Sequence, residues 1–201
     1  MKPTAGLLGA LVLASALAVA PAAWACGYHD PSSVNRGILN WVYTNALYVG
    51  TAVWMAQRDG VIPRDEGPAA VKALFGYQKT VARLATFRDR LSGALDVRTV
   101  PAFSIVLLGP MLWTRFEPTG TVLTMTSHAD GPSNGDVVIV TDEPVVAALV
   151  DGRVTPQAAR EMGLMRLYGA PDRIEDVTSW LDHLPLQSSK EQVDAAQYAS
   201  R

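Results

Sequence analysis

The chain has 201 residues, a formal net charge of −2 and 18% charged residues. The chain is slightly acidic and has no cluster of basic residues, so we expect no nucleic acid among its partners. A single cysteine excludes an internal disulfide, so an apolar core alone must hold the fold. The length suits one domain with a helical addition.

The first 25 residues have the features of an export signal. Lys2 supplies a positive charge, residues 7–20 form an uncharged apolar run, and residues 23–25 read Ala-Trp-Ala, a cleavage sequence of the A-x-A type. We therefore predict a signal peptide over residues 1–25 and a periplasmic or secreted mature chain. The apolar run is short for a transmembrane helix.

Cleavage there would make Cys26 the first mature residue, and two further fates are then open to it. Lipid attachment would bring the chain to a membrane, although Ala23 and Trp24 are a poor match to a lipobox. Alternatively, the Cys26 thiolate and α-amine together with the His29 imidazole could hold copper or zinc. The same Cys-x-x-His spacing is also compatible with an ordinary turn.

Two helical regions follow. Residues 34–59 are strongly apolar, and residues 43–45 are expected to divide them into two helices. We expect the rings of Trp41, Tyr48 and Trp54 to pack this N-terminal helical segment onto the rest of the protein, with a cavity wall as the alternative. Pro68 then begins a long amphipathic helix through about residue 91. Phe75 belongs to its apolar stripe, and its basic side chains are predicted to form a solvated face, namely Lys72, Lys79, Arg83, Arg88 and Arg90.

The next part of the chain is rich in strands. Residues 102–108 are apolar on both faces, which predicts a strand covered on both sides. Residues 122–128 alternate between apolar and polar side chains. A turn at residues 130–135 leads to the apolar run 137–140, so we predict a hairpin between these two strands.

Residues 136–169 predict a strand, a short helix, a tight turn, a second short helix and a strand. Thr141 is the expected N-cap of the first helix, and Thr155 followed by a proline begins the second. Gly163 is expected to end that helix with a positive φ. A last helix begins at Pro171, and residues 185–201 form a polar tail.

This order resembles the sterol carrier protein 2 (SCP2-like) family over roughly residues 70–184. In that family a strand leads to a short helix ending at a glycine, then to a proline-initiated helix ending at another glycine, then to a final strand. The matching residues are Val137–Val140, Val145–Val150, Gly152, Pro156, Ala158, Gly163 and Leu164–Gly169. We place the SCP2-like domain at residues 68–184, after an N-terminal segment at 26–67.

The resemblance implies an α/β (α+β) fold, with a mainly antiparallel sheet, helices packed on one face and an apolar cavity for a lipid or other hydrophobic molecule. Eleven apolar residues could wall such a cavity, although they could equally fill a core. They are Phe103, Ile105, Leu107, Met111, Trp113, Leu123, Met125, Val146, Leu149, Met162 and Leu164.

No grouping of residues predicts catalysis. His128 and Asp136 lie near a serine, but no nucleophile elbow or Gly-rich oxyanion loop accompanies them. We therefore predict a non-enzymatic protein that binds a hydrophobic small molecule or lipid without a cofactor. The alternatives are a metal-binding accessory protein that uses Cys26 and His29, and an interaction subunit that docks on a protein partner through residues 34–59.

Overall fold

The computed structural model of the chain describes residues 26–28, 35–64, 69–94 and 96–184, and the predicted signal peptide and polar tail lie outside this part. Its helices are α1 Gly37–Val42, α2 Tyr48–Arg58, α3 Ala69–Ala94, α4 Glu143–Val150, α5 Pro156–Glu161 and α6 Pro171–Asp182, with a 3-10 turn at Val97–Thr99. Its strands are β1 Phe103–Leu107, β2 Leu112–Thr119, β3 Val122–Ser127, β4 Val137–Thr141 and β5 Arg166–Tyr168. The two short N-terminal helices and the long helix are confirmed. No helix in the described ranges is both long and apolar enough to cross a membrane.

The strands form one five-stranded sheet in the order β3-β2-β1-β4-β5. β1 and β4 run parallel, and the other neighbours run antiparallel. The fold is therefore mixed α+β with a mostly antiparallel sheet, as predicted. All five residues of β1 are buried, which confirms that this strand is covered on both faces.

One face of the sheet packs against the long helix and the last helix. Phe103 of β1 stacks on Phe116 of β2, with ring centroids 4.8 Å apart. Phe87 of α3 meets Phe116 edge-on, and Trp180 of α6 meets Phe103 edge-on. These four rings are almost completely buried, so α3 and α6 close this face with an aromatic layer.

The N-terminal helical segment covers the opposite face. Tyr43, which lies between α1 and α2, packs against Trp113 of β2 and Tyr168 of β5. The Tyr168 hydroxyl donates a hydrogen bond to the Thr44 carbonyl oxygen at 2.8 Å. Trp113 and Phe116 are three residues apart on β2, so their side chains point to opposite faces. Helices thus cover both faces of the sheet rather than one.

The predicted hairpin between residues 122–128 and 137–140 is wrong. β3 pairs with β2 through a tight turn, in which Gly120 has a φ of +62°. β4 instead lies between β1 and β5. The burial of the strands explains this, because every residue of β4 is buried, whereas β3 alternates and suits an edge.

The predicted signals for helix ends are mostly confirmed. Thr155 accepts a hydrogen bond from the Ala158 backbone N–H at 3.0 Å, and Gly163 has a φ of +71°. Thr141, however, is the last residue of β4, and its hydroxyl donates to the Leu164 carbonyl oxygen at 2.9 Å. The N-cap of α4 is Asp142, whose carboxylate accepts from the Glu143 N–H.

A buried ionic cluster lies at the start of β4. The Asp136 carboxylate accepts hydrogen bonds from the Ser104 hydroxyl at 2.8 Å and from Arg115 Nε at 3.0 Å. It also accepts from the Ser133 backbone N–H at 3.1 Å. Asp136 is therefore engaged in structural contacts that join three parts of the chain.

Candidate ligand-binding cleft

An open cleft of about 680 Å³ lies at the edge of the sheet where the parallel strands β1 and β4 both end. We call it the Tyr28 cleft. It is lined by Gly27, Tyr28, Trp54, Gln57, Arg64, Phe75, Gly76, Lys79, Gly109, Pro110, Asp142, Glu143 and Pro144. Its volume falls within the range of about 300–1,000 Å³ that is typical of small-molecule sites.

Tyr28 holds two walls of the cleft together. Its hydroxyl lies 2.6 Å from the Thr80 Oγ1 of α3, and it donates to a Glu143 carboxylate oxygen of α4 at 3.1 Å. The ring lies directly on α3 at Gly76, where an added Cβ would come within 2.9 Å of the Tyr28 Cε1. Partial burial is the main reason why the pKa of Tyr28 is raised well above its usual value. The phenol is therefore a neutral donor at physiological pH.

Asp142 fixes the floor of the cleft. Its carboxylate accepts from the Gly109 backbone N–H at 3.0 Å and from the Glu143 N–H at 2.9 Å, so it joins the β1–β2 turn to the first turn of α4. Burial raises the pKa of Asp142 above its usual range, and the two backbone donors oppose that rise. Arg36 supports the same turn by donating to the carbonyl oxygens of Leu108 and Gly109.

Two large rings give the cleft its apolar character. Trp54 of α2 and Phe75 of α3 both line it, and they remain 59% and 61% exposed. The Arg58 guanidinium lies over the Trp54 ring, 5.4 Å from its centroid. Exposed rings on two different helices that line one cleft form an apolar surface of the kind that accepts a ligand.

A second pocket of about 240 Å³ continues from the first. We call it the basic pocket, and it is lined by Pro63, Arg64, Lys79, Arg83, Glu143, Pro144 and Ala147. Arg64, Lys79, Glu143 and Pro144 line both pockets. Arg83 lies one helical turn after Lys79, on the same side of α3.

The eleven residues proposed from the family resemblance lie elsewhere. Nine of them are buried in the core: Phe103, Ile105, Leu107, Met111, Trp113, Leu123, Val146, Leu149 and Leu164. Met125 is half-buried against this core, and Met162 is 39% exposed. None of the eleven lines the Tyr28 cleft or the basic pocket.

The predicted metal pair is only half within the described part of the chain. Cys26 is buried, and the backbone N–H of the next residue, Gly27, donates to the Pro110 carbonyl oxygen at 2.7 Å. His29 lies outside the described residues. Among the residues that the structure does describe, no three histidine, cysteine or acidic side chains are grouped so that they could hold a metal.

For several residues of the cleft, the sequence pattern predicts other roles. Phe75 belongs to the apolar stripe of its helix, and Lys79 and Arg83 belong to a solvated face.

The expectation that Trp41, Tyr48 and Trp54 pack onto the rest of the protein is wrong, because these side chains are 91%, 63% and 59% exposed. Buried Leu39, Val49 and Val53 anchor the segment instead. Trp54 lines the cleft, in agreement with the alternative of a cavity wall.

Tyr28 and Asp142 have no clear signal in the sequence as site residues. The Tyr28 contacts with Thr80 and Glu143 span 52 and 115 positions of the chain, so no local pattern could reveal them. Comparison of the chain with protein-family models, with curated proteins and with solved structures finds no match.

Proposed function

We propose that this chain is an exported, non-enzymatic protein that binds a lipid or other hydrophobic small molecule in the Tyr28 cleft. The observation that carries the proposal is the pair of exposed rings, Trp54 and Phe75, which line one cleft of about 680 Å³ from two helices. Export remains part of the proposal through the predicted signal peptide. The SCP2-like resemblance supports the same class of ligand, but at a different set of residues.

The energetics favour an apolar ligand. Each CH₂ group that leaves water for the cleft contributes about 0.8 kcal/mol. The rings of Trp54 and Phe75 would lose contact with water at the same time, which adds to the gain. Tyr28 and Asp142 keep the walls in place through hydrogen bonds within the protein, so little ordering should be needed on binding.

The neutral apolar dye phenylnaphthylamine tests this proposal by fluorescence titration. We expect saturable binding of one dye per chain. Trp54→Ala should weaken binding by about tenfold, which corresponds to about 1.4 kcal/mol. Trp41→Ala is the matched control, because it removes an equally large exposed ring that does not line the cleft. Absence of saturable binding, or equal losses in the two variants, would refute the proposal.

A second function is favoured by a separate observation on the N-terminal helical segment. Trp41 is 91% exposed, and Val42, Tyr48 and Met55 are 61%, 63% and 45% exposed. The chain has no acidic residue between positions 36 and 58. Aromatic residues and methionine are enriched at the centres of protein interfaces, where charged residues are depleted. We therefore propose, as the alternative, that this surface docks on a protein partner.

A photo-crosslinking amino acid at position 41 tests the alternative in cells that express the full chain. The same substitution at exposed Glu175 on α6 is the control. We expect a discrete adduct with one protein at position 41 alone. When that protein is purified, Trp41→Ala should weaken its binding by about 2 kcal/mol. Identical crosslinking patterns at the two positions would exclude this surface as an interface.

A further inference from the structure

We infer that the ligand of the Tyr28 cleft is an amphiphile with an anionic head group, and that the head group lies in the basic pocket beside Arg64, Lys79 and Arg83. The inference rests on the proposed function, to which it adds the chemical class of the ligand.

The two pockets form one site with two chemically different ends. They share four lining residues, so a ligand can extend from one into the other. The rings of Trp54 and Phe75 line only the larger part, and Arg83 lines only the smaller part. Arg64 and Lys79 lie where the two parts meet. A molecule with an apolar body and a charged head fits this division.

The acidic side chains at the site are largely engaged within the protein. Asp142 accepts hydrogen bonds from the backbone N–H groups of Gly109 and Glu143. Glu143 accepts from the Tyr28 hydroxyl. Among the described residues that line the two pockets, three are basic and two are acidic, although the whole chain has a net charge of −2.

Two of the three cations have donors to offer. Within the described part of the chain, the guanidinium groups of Arg64 and Arg83 make no hydrogen bond or ion pair. A guanidinium is a planar fork of N–H donors that matches the oxygens of a carboxylate or a phosphate. The shared chemistry of these head groups is an anionic oxygen cluster, and either one would satisfy the two arginines.

Matched single-chain probes test the inference by isothermal titration below their micelle concentrations. The probes are dodecanol, dodecanoate, dodecyl phosphate and dodecyltrimethylammonium, which share one apolar chain. We expect the two anions to bind about tenfold or more tightly than dodecanol, and the cation to bind most weakly. The ratio between dodecanoate and dodecyl phosphate then shows which head group the pocket prefers.

The variant Arg64→Gln/Arg83→Gln should lower the ratio of the dodecanoate affinity to the dodecanol affinity by about fivefold or more, because only Lys79 would remain to face the head group. Both side chains are at least partly exposed, so the fold should tolerate the change. Arg88→Gln/Arg90→Gln, on the same helix but outside both pockets, is the control. Equal affinity for dodecanol and dodecanoate, or a ratio that is unchanged in the first variant, would overturn the inference while the proposed function stands. If no probe binds, the proposed function itself fails.

Discussion

The Tyr28 hydroxyl lies 2.6 Å from the Thr80 Oγ1, and this contact joins the first described residues of the chain to the middle of the long helix α3. Thr80 is 1% exposed, so its hydroxyl depends on a protein partner. The Tyr28 ring also makes an edge-on contact with Tyr77, with ring centroids 5.8 Å apart. This position fixes one wall of the cleft.

We expect that the Tyr28 ring can pack against α3 in this position only because residue 76 is glycine and has no side chain. An alanine Cβ at this position would lie 2.9 Å from the Tyr28 Cε1, and overpacking of this kind typically costs about 1–3 kcal/mol. In a helix interior, alanine is otherwise favoured over glycine by about 1 kcal/mol. We therefore expect Gly76→Ala to destabilise the wild type but to stabilise a Tyr28→Ala background, as measured by urea unfolding.

Gly93→Ala is the control for that cycle. Gly93 is also in α3, and a Cβ added to it would have no neighbouring atom within 4 Å. It should give the same small gain in stability in both backgrounds. A Gly76→Ala change that is equally favourable with and without the Tyr28 ring would contradict the close contact.

Asp142 should make stability depend on pH. Because its pKa is raised in the folded state, the folded protein binds this proton more tightly than the unfolded chain does. Stability should therefore fall as pH rises from about 4, the usual pKa of aspartate, through the raised folded value. Asp142→Asn keeps an oxygen acceptor for the N–H groups of Gly109 and Glu143 but cannot titrate. The stability of the asparagine variant relative to wild type should therefore increase with pH over that window.

Urea unfolding at several pH values between about 4 and 7 measures this difference. Asp142→Ala separates charge from capping, because it should be about 1 kcal/mol less stable than Asp142→Asn at every pH through the missing N-cap. If the difference between wild type and Asp142→Asn is independent of pH, burial does not perturb this carboxyl group.

We expect the ionic cluster around Asp136 to contribute strongly to the free energy of unfolding. Its side chain is 2% exposed, and it pairs with Arg115, which is 23% exposed. Removing one partner of a buried ion pair typically costs about 3–5 kcal/mol. Here the Ser104 hydroxyl would lose its acceptor, and Arg115 would keep only the exposed Glu117. Asp136→Ala should reach at least the lower part of that range in denaturant unfolding.

Glu117→Ala is the matched control for Asp136→Ala. Glu117 also pairs with Arg115, at 2.6 Å, but its side chain is 52% exposed. An exposed pair is worth about 1 kcal/mol or less. A loss in Asp136→Ala no greater than that in Glu117→Ala would show that the buried cluster is not a stabilising feature.

Local features of the fold were predictable because their causes are local. Thr155 and Pro156 begin a helix, Gly163 ends it with a positive φ, and the apolar residues of β1 show burial on both faces. Strand pairing was less predictable. β4 follows β3 in sequence but pairs with β1 and β5. This strand order depends on which strands are apolar on both faces and must therefore be covered on both sides.

The candidate site was largely unpredictable for a related reason. Trp54 and Phe75 each belong to the apolar pattern of a helix. That pattern is the same whether such a residue is buried in the core or lines a cleft. Trp54 and Phe75 line a cleft because Tyr28 and the turn at Gly109, which are distant in sequence, form its other walls. The eleven residues that the family resemblance implies are strongly apolar, and in this chain most of them fill the core.

The most direct test of the central claim is to map where an alkyl ligand sits. The full chain is photolabelled with a fatty acid that carries a diazirine in its chain, and the modified residues are identified by peptide mass spectrometry. The account predicts adducts around Trp54 and Phe75, and their loss when excess dodecanoate competes. Adducts confined to the exposed surface around Trp41, or to core residues such as Leu107 and Leu149, would contradict it.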